Sequence, residues 1–209
     1  MIFLYVILSG YILGSIPSAV WIGQLFHGID IREHGSKNAG ATNTFRVFGN
    51  GSGIIVLILD VLKGYVAASV PLYLSHLYIG FKDDELILQL IASFCAIIGH
   101  VFPVLANFKG GKGVASTLGI IIAINPDTAF ICLGCFLVVF VIWKYVSLGA
   151  IVASILFPFV SFFFMKEDAR IMIVFSIIIS LIVLFAHRKN IHRLLHGEEN
   201  KMNFLKPKA

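Results

Sequence analysis

Charge is scarce in this chain. Only 13% of its 209 residues are Asp, Glu, Lys or Arg, whereas 58% are hydrophobic. A typical soluble domain has about 25% charged residues. This composition excludes an ordinary soluble globular domain and favours a protein that crosses the membrane several times.

Cysteine is also rare, and its three copies are Cys95, Cys132 and Cys135, all inside apolar segments. The last two have a C-x-x-C spacing that can bind metal or do redox chemistry. No second pair accompanies them, so small buried hydrophobic residues are the favoured interpretation. The sequence predicts no metal site and no cofactor.

Seven apolar segments predict seven membrane helices in an all-α bundle, with one integral membrane domain over residues 1–209. The first is long enough for a retained span rather than a signal peptide. The fourth has about 12 residues, or roughly 18 Å of helix, so we expect it to start within the membrane and line a cavity. The predicted segments are 1–26, 53–79, 86–107, 114–125, 128–143, 148–164 and 170–186. Short turns, including an acidic hairpin at 80–85, connect them.

The cations fall mainly on one side of this predicted topology. Twelve Lys and Arg residues lie in the segments 27–52, 108–113 and 144–147 and in the tail 187–209, and three lie on the opposite side. The positive-inside rule then places the N-terminus outside and the C-terminus in the cytoplasm. Because the cations follow apolar runs rather than one basic face, membrane topology explains the net charge of +5 better than nucleic-acid binding.

The first polar segment, Asp30–Arg46, is rich in glycine, short hydrogen-bonding side chains and cations. Such a mixture suits a bound phosphate, because glycine lets the backbone approach a ligand closely. A plain cytoplasmic loop can have the same composition. The candidate ligand-binding residues in it are Gly35, Ser36, Asn38, Gly40, Thr42, Asn43 and Arg46.

The second polar segment, Lys109–Gly113, precedes the short fourth helix. Free N–H groups and the helix dipole favour an anion at such a position, and Lys112 adds a full positive charge. The segment is not a Walker A loop, because Ala106 and Gly113 stand where that motif has Gly and Ser or Thr. A flexible basic hairpin is the alternative. Before it, Pro103 predicts a kink, and His100 is expected to serve in packing or hydrogen bonding.

The tail and the second helix hold the remaining candidates. If the last helix continues, His187 and Asn190 are stacked at the membrane surface. Such a pair can orient a hydroxyl group or simply end a span, and it lacks the carboxylate of a good metal site. Asp60 and Lys63 share a helix face and can form an ion pair, for which a structural role is favoured over a functional one.

Together these motifs resemble the PlsY family, the bacterial membrane acyl-phosphate:glycerol-3-phosphate acyltransferases. The resemblance covers nearly the whole chain, and the chain lacks the His-x4-Asp signature of the common soluble-type glycerolipid acyltransferases. Lys37, where the family more often has glycine, and Ser116, where threonine is more usual, are departures. The matching stretches are 14–17 with 30–46, 60–64, 99–103 with 108–116, and 187–201.

The resemblance implies that the sn-1 hydroxyl of glycerol 3-phosphate attacks an acyl phosphate, giving lysophosphatidic acid and phosphate. Expected partners are these two substrates, the lipid bilayer of a bacterial inner membrane, and the enzyme that makes acyl phosphate. The first loop would hold the acyl phosphate, with Arg46 neutralising charge. His187 and Asn190 would position the hydroxyl or stabilise the oxyanion, and Glu199 would dock the tail. The residues expected to hold glycerol 3-phosphate are Gly110, Gly111, Lys112 and Gly113.

Two other functions fit parts of the sequence. A transporter for a phosphorylated solute would also have basic loops and a short broken helix. It would need polar residues through the bundle, and the last three spans have few. A scaffolding protein would not explain the concentration of phosphate-type loops.

Overall fold

The computed structural model describes residues 1–77, 85–164 and 169–202, and every regular element within these ranges is helical. The prediction of an all-α fold is confirmed for this part of the chain. Short 3-10 turns cover Ile31–Glu33 and Val104–Ala106. The α-helices are α1 (Ile2–Gly14), α2 (Ser18–His27), α3 (Ala41–Phe48), α4 (Asn50–Leu77), α5 (Glu85–Val101), α6 (Val114–Ile124), α7 (Pro126–Trp143), α8 (Val146–Phe164), α9 (Ala169–Ala186) and α10 (Arg188–Leu195).

The apolar helices identify a multi-pass membrane protein. Five described segments are long and apolar enough to cross a bilayer, and α9 with α10 makes a sixth if this pair, bent by 62°, is one span. As predicted, α6 is short, with 11 residues. The count of seven crossings and the orientation of the termini stay predictions. Of the predicted hairpin at 80–85, only Glu85 lies in the described part of the chain, where it begins α5.

Proline interrupts the helices within two of the predicted spans. Ile2–His27 is long and apolar enough for one crossing, as predicted, but it forms two helices, because α1 ends at Gly14 and α2 begins at Ser18, after Pro17. Proline lacks the N–H that a helix interior needs and clashes with the preceding turn. Similarly, Pro103 does not kink α5 but follows its end at Val101.

The first polar segment also contains a helix that hydropathy did not reveal. Residues 41–48 form α3, which begins after an extended Gly40 and buries Asn43 and Thr44. Its apolar residues are too few for a membrane span, so the segment was predicted to be a loop. As a consequence, Arg46 lies on a helix rather than on a loop.

The described chain divides into an N-terminal unit, Met1–Ile124, and a C-terminal unit, Asn125–Ala209. In the N-terminal unit, α1 packs against α5 and α4 against α6, and in the C-terminal unit α8 packs against both α7 and α9. The single domain expected over residues 1–209 stays a prediction.

Small residues let the helices of the N-terminal unit approach closely. A side chain at Gly10 or Gly14 of α1 would overlap the backbone of Ala92 or Ala96 of α5. Close backbone packing of this kind is typical of membrane helices, where apolar side chains gain little by leaving lipid. Many larger apolar residues, such as Ile58 of α4, are accordingly exposed on the outer surface.

The predicted ion pair between Asp60 and Lys63 forms inside the N-terminal unit. Lys63 Nζ lies 2.9 Å from Asp60 Oδ1, and both side chains are almost fully buried. Lys63 also donates to the carbonyl of Ile16 at 2.8 Å, and Ser18 Oγ donates to Asp60 at 3.0 Å. The pair therefore fastens α4 to the break between α1 and α2, and each buried charge has hydrogen-bonding partners.

Candidate functional site

The first polar loop is built around Asn43, which is 1% exposed. Its amide nitrogen donates to the carbonyls of Ile31 at 3.1 Å, His34 at 3.0 Å and Asn38 at 3.1 Å. Its Oδ1 accepts the backbone N–H of Ser36 at 2.8 Å. Because its amide is committed to the loop, Asn43 holds the loop's shape from within, whereas the sequence predicted a direct contact with phosphate.

Two neighbouring residues of this loop have left-handed backbone conformations. Gly35 has φ +59° and Lys37 has φ 58°. A Cβ atom at Gly35 would also overlap Asn43 Oδ1, so this position needs glycine on two grounds. The turn presents Ser36 at the surface between them, where its hydroxyl can reach a ligand.

Helix α3 carries the next two candidates. Thr42 lies in its first turn, where backbone N–H groups have no carbonyl of the same helix to bond. Arg46 lies four residues later, on the same helix face and half buried. The N-terminus of α3 and the Arg46 guanidinium thus provide positive charge on one short helix, as an anion site requires.

Arg32 connects the first loop to the 3-10 turn Val104–Ala106, which precedes the second loop. Its guanidinium donates to both carboxylate oxygens of Asp30, at 2.6 Å in the shortest contact, and its Nη1 donates to the carbonyl of Ala106 at 2.7 Å. The side-chain hydrogen bond from Arg32 lowers the pKa of Asp30, and Asp30 in turn raises the pKa of Arg32. Asp30 therefore orients the permanently charged guanidinium of Arg32, which reaches from the first loop to the turn before the second.

The second loop uses its glycines in an unexpected way. The N–H of Gly110 donates to the carbonyl of Val101 at 3.2 Å, and that of Gly111 donates to the carbonyl of His100 at 3.1 Å. These bonds satisfy the last carbonyls of α5. A Cβ at Gly110 would overlap the His100 carbonyl, and one at Gly111 would overlap the imidazole ring. Both glycines thus pack the loop onto α5. Their N–H groups bond carbonyls of α5, whereas the sequence predicted that these glycines would hold a phosphate.

The other two candidates of this loop, Lys112 and Gly113, lie directly before α6. Gly113 has φ +82° and accepts a hydrogen bond from the N–H of Thr117, at the entry to α6. Lys112 is half buried just before that helix. The positive end of α6 and the Lys112 ammonium therefore lie next to each other in the chain, and this arrangement suits an anion.

In the C-terminal unit, His187 stands at the bend between α9 and α10. The last span ends at Ala186, as predicted, and the helix does not continue straight through His187, because the chain turns by 62° there. His187 is buried, and its Nδ1 lies 2.8 Å from the carbonyl of Val183. This contact fixes the ring's orientation on α9, whereas Asn190 lies on α10.

Glu199 gathers the end of the C-terminal unit. Its carboxylate accepts hydrogen bonds from Asn190 Nδ2 at 2.8 Å, Arg193 Nε at 2.7 Å and Ser147 Oγ at 3.0 Å. Partial burial raises the pKa of Glu199, but these hydrogen bonds outweigh it, so that the pKa is lowered overall. Together with the Met202 N–H bonded to the Lys144 carbonyl, these bonds connect the tail to the residues around the start of α8.

Several residues connect distant segments within each unit without a clear signal in the sequence. Arg32 and His100 do so in the N-terminal unit and Ser147 does so in the C-terminal unit, and of these the sequence predicts hydrogen bonding only for His100. The signal for Arg32 was its spacing of two residues from Asp30, which allows a local ion pair. Among the described residues, no group of three His, Cys, Asp or Glu side chains is placed to hold a metal ion.

Comparisons with known proteins agree with the resemblance seen in the sequence. Residues 4–197 match the family model described as glycerol-3-phosphate acyltransferase. The glycerol-3-phosphate acyltransferase of Fusobacterium nucleatum is 44% identical over 97% of this chain and 98% of its own length. That of Chlorobaculum tepidum is 40% identical, with 97% of each chain covered.

Solved structures match equally well. The crystal structure of PlsY (YgiH), an integral membrane glycerol 3-phosphate acyltransferase, in its glycerol 3-phosphate form is 34% identical. It superposes with a TM-score of 0.84, covering 97% of this chain and 96% of its own. Its lysophosphatidic acid form gives a TM-score of 0.82 at 33% identity, with the same coverage.

Proposed function

This chain belongs to the glycerol-3-phosphate acyltransferase family, and on that premise we propose that its acyl donor is an acyl phosphate. The sn-1 oxygen of glycerol 3-phosphate attacks the acyl carbon, and the bond from that carbon to the phosphate oxygen breaks. The products are lysophosphatidic acid and phosphate, with the hydroxyl proton leaving to the released phosphate or to solvent. This reaction is the first acylation step of phospholipid synthesis.

One structural observation carries this proposal. Arg32, in the first cationic, glycine-containing loop of the N-terminal unit, bonds the carbonyl of Ala106 at 2.7 Å, in the 3-10 turn that precedes the second such loop. The reaction brings together two phosphate-bearing substrates, so it needs two anion sites at a fixed separation. The PlsY structures solved in glycerol 3-phosphate and lysophosphatidic acid forms support the acceptor and the product.

We assign the acyl phosphate to the first loop. The surface hydroxyl of Ser36, the amide of Asn38 and the first turn of α3 at Thr42 donate hydrogen bonds to its phosphate, and Arg46 supplies charge. Gly35 gives the backbone the left-handed turn that this loop needs, and Gly40 leads into α3 without a side chain that would crowd Asn38. Asn43 becomes a positioning residue, since its amide already bonds three loop carbonyls.

Glycerol 3-phosphate is assigned to the second loop. Lys112 and the N-terminus of α6, entered through Gly113, hold its phosphate by charge and by backbone N–H groups. Gly110 and Gly111 serve this site indirectly, because they allow the loop to lie flat on the end of α5.

His187 and Asn190 are assigned to orienting the attacking hydroxyl or stabilising the developing oxyanion. Glu199 keeps the Asn190 amide in place through their 2.8 Å hydrogen bond. The Asp60–Lys63 pair has a structural role, since it fastens α4 to the α1–α2 break.

The proposal also assigns a cellular setting. The protein lies in the bacterial inner membrane with its three polar segments in the cytoplasm and its N-terminus outside, following the excess of cations on one side. The acyl chain of the donor enters from the bilayer, and the enzyme that makes acyl phosphate is the expected partner.

The donor is tested by giving the purified protein acyl phosphate, acyl-CoA and acyl carrier protein separately, with glycerol 3-phosphate as acceptor. Transfer only from acyl phosphate is the expected result. Transfer from acyl-CoA or acyl carrier protein at comparable rates would overturn the donor assignment.

The phosphate sites are tested by variants in the same assay. Arg46→Ala and Lys112→Ala should each abolish most turnover while the protein stays folded, because each removes a charge from a substrate phosphate. Lys109→Ala is the matched control, since this exposed lysine of the second loop has no assigned role. Near-normal transfer by Lys112→Ala would sink the two-loop assignment. Full activity of His187→Gln would limit the histidine to a structural role.

A further inference from the structure

We propose that His100 is the positioning residue that sets the place of Lys112, and with it the affinity for glycerol 3-phosphate. The inference rests on the proposed function of the second loop. His100 touches no substrate in this proposal. It acts through the segment 111–116, which it contacts at both ends.

The first contact, with Gly111, involves both the backbone and the ring of His100. The His100 carbonyl accepts the N–H of Gly111 at 3.1 Å, and the next carbonyl, that of Val101, accepts the N–H of Gly110 at 3.2 Å. The His100 ring lies so close beneath Gly111 that a Cβ there would overlap Nε2. One residue of α5 thus fixes the peptide immediately before Lys112.

The second contact is a hydrogen bond with α6. His100 Nδ1 lies 3.1 Å from Ser116 Oγ, and both side chains are buried. Ser116 is the third residue of α6, four residues after Lys112. His100 therefore contacts both ends of the segment 111–116, which contains Lys112: its carbonyl bonds the N–H of Gly111, and its ring is hydrogen-bonded to Ser116.

The buried Asp60–Lys63 ion pair lies next to the His100 ring. Asp60 Oδ1 lies 3.9 Å from His100 Nδ1, which is too long for a hydrogen bond, and Lys63 is bonded to the same carboxylate oxygen at 2.9 Å. Ser18 of α2 bonds that oxygen as well. Helices α2, α4, α5 and α6 thus meet around one buried polar cluster, and the ring has little room to change its position.

This arrangement makes a specific prediction about kinetics. If the ring is removed, the loop gains freedom to move toward the vacated space, and Lys112 samples positions away from the phosphate. A misplaced binding group weakens substrate affinity by about 10- to 100-fold, while an enzyme saturated with substrate is affected less. The KM for glycerol 3-phosphate should therefore rise more than kcat falls.

A double-variant experiment tests the contact between the ring and Gly111. Gly111→Ala alone should raise the KM for glycerol 3-phosphate strongly, because the added methyl group overlaps the imidazole. His100→Ala should also raise it. The double variant His100→Ala with Gly111→Ala should be closer to the native enzyme than Gly111→Ala alone, because the overlap is gone. Purely additive losses would overturn the proposal.

Ser116 supplies the conservative control and covers the case in which His100→Ala does not fold. Ser116→Thr keeps the hydroxyl and should retain the native KM, whereas Ser116→Ala loses the bond to the ring and should raise it. Equal KM values for the two Ser116 variants would overturn the proposal.

A binding measurement separates this proposal from the proposed reaction. Glycerol 3-phosphate should raise the unfolding temperature of the native protein, and the concentration needed should increase about tenfold or more in His100→Ala. This measurement needs no acyl donor. Native binding without transfer from acyl phosphate would overturn the donor assignment alone, whereas unchanged binding by a folded His100→Ala would overturn the role of His100 alone.

Discussion

The guanidinium of Arg32 donates a 2.7 Å hydrogen bond to the backbone carbonyl of Ala106, a residue 74 positions further along the chain. Asp30 holds the same guanidinium through Nε and Nη2. One planar side chain, each nitrogen of which has a bonding partner, thus ties the first phosphate-type loop to the turn that precedes the second.

Arg32→Lys should reduce acyl transfer at least tenfold, although the charge is kept. A lysine ammonium cannot bond Asp30 through two nitrogens and reach Ala106 with a third, because it lacks the planar fork. The rate of transfer to glycerol 3-phosphate measures this. Glu33→Gln, a change at the exposed neighbouring residue, is the control and should leave the rate unchanged. A native rate in Arg32→Lys would contradict a spacing role for Arg32.

The free energy of unfolding should depend on pH in a way that reveals the contribution of the Asp30–Arg32 pair. Arg32 lowers the pKa of Asp30 from its ordinary value of 3.8, so the folded state favours the ionised carboxyl. The resulting stabilisation is fully present well above pH 3.8 and is lost as the pH falls through the lowered pKa.

Unfolding temperatures of the native protein and Arg32→Gln, measured in detergent from pH 7 down to pH 3, test this. The native protein should be more stable at neutral pH, and the gap should shrink at the acid end. A gap that stays constant over the whole range would show that the pair does not contribute through ionisation.

Lys37→Gly should stabilise the protein. Lys37 has φ 58°, a left-handed conformation that costs a residue with a Cβ roughly 1–2 kcal/mol. Part of that gain is offset because glycine makes the unfolded chain more flexible, so we expect a net gain of about 0.5–1 kcal/mol. Thermal unfolding measures it. Lys37→Ala is the control, since alanine keeps the strain while removing the charge. If both variants were equally stabilised, charge rather than backbone strain would be the cause.

Glu199→Ala should lower activity about tenfold or more, because it removes the carboxylate that Asn190, Arg193 and Ser147 share as a hydrogen-bond acceptor. The adjacent Glu198→Ala removes the same charge from an exposed position and should have little effect. Transfer rate and unfolding temperature are measured on both variants. A Glu199→Ala protein with native activity would show that the tail does not position Asn190.

The sequence by itself determined the class of protein and the location of its long apolar helical segments. Hydropathy is a sum over neighbouring residues, so the long apolar stretches and the short α6 were evident without any knowledge of packing. The break after Gly14 was also within reach, because Pro17 cannot continue a helix. The charged motifs were sufficient to suggest phosphate binding and to carry the family resemblance.

The tertiary structure decided what each polar residue of those motifs does. Asn43 turns inward to bond three carbonyls, and Gly110 and Gly111 give up their N–H groups to the end of α5. Arg32 bonds a carbonyl 74 residues away. Which acceptor a donor bonds depends on the distance and angle between them. Both are fixed only when segments far apart in the chain pack together. Local pattern therefore predicts which residues are polar and charged, whereas packing determines which of them remain for a ligand.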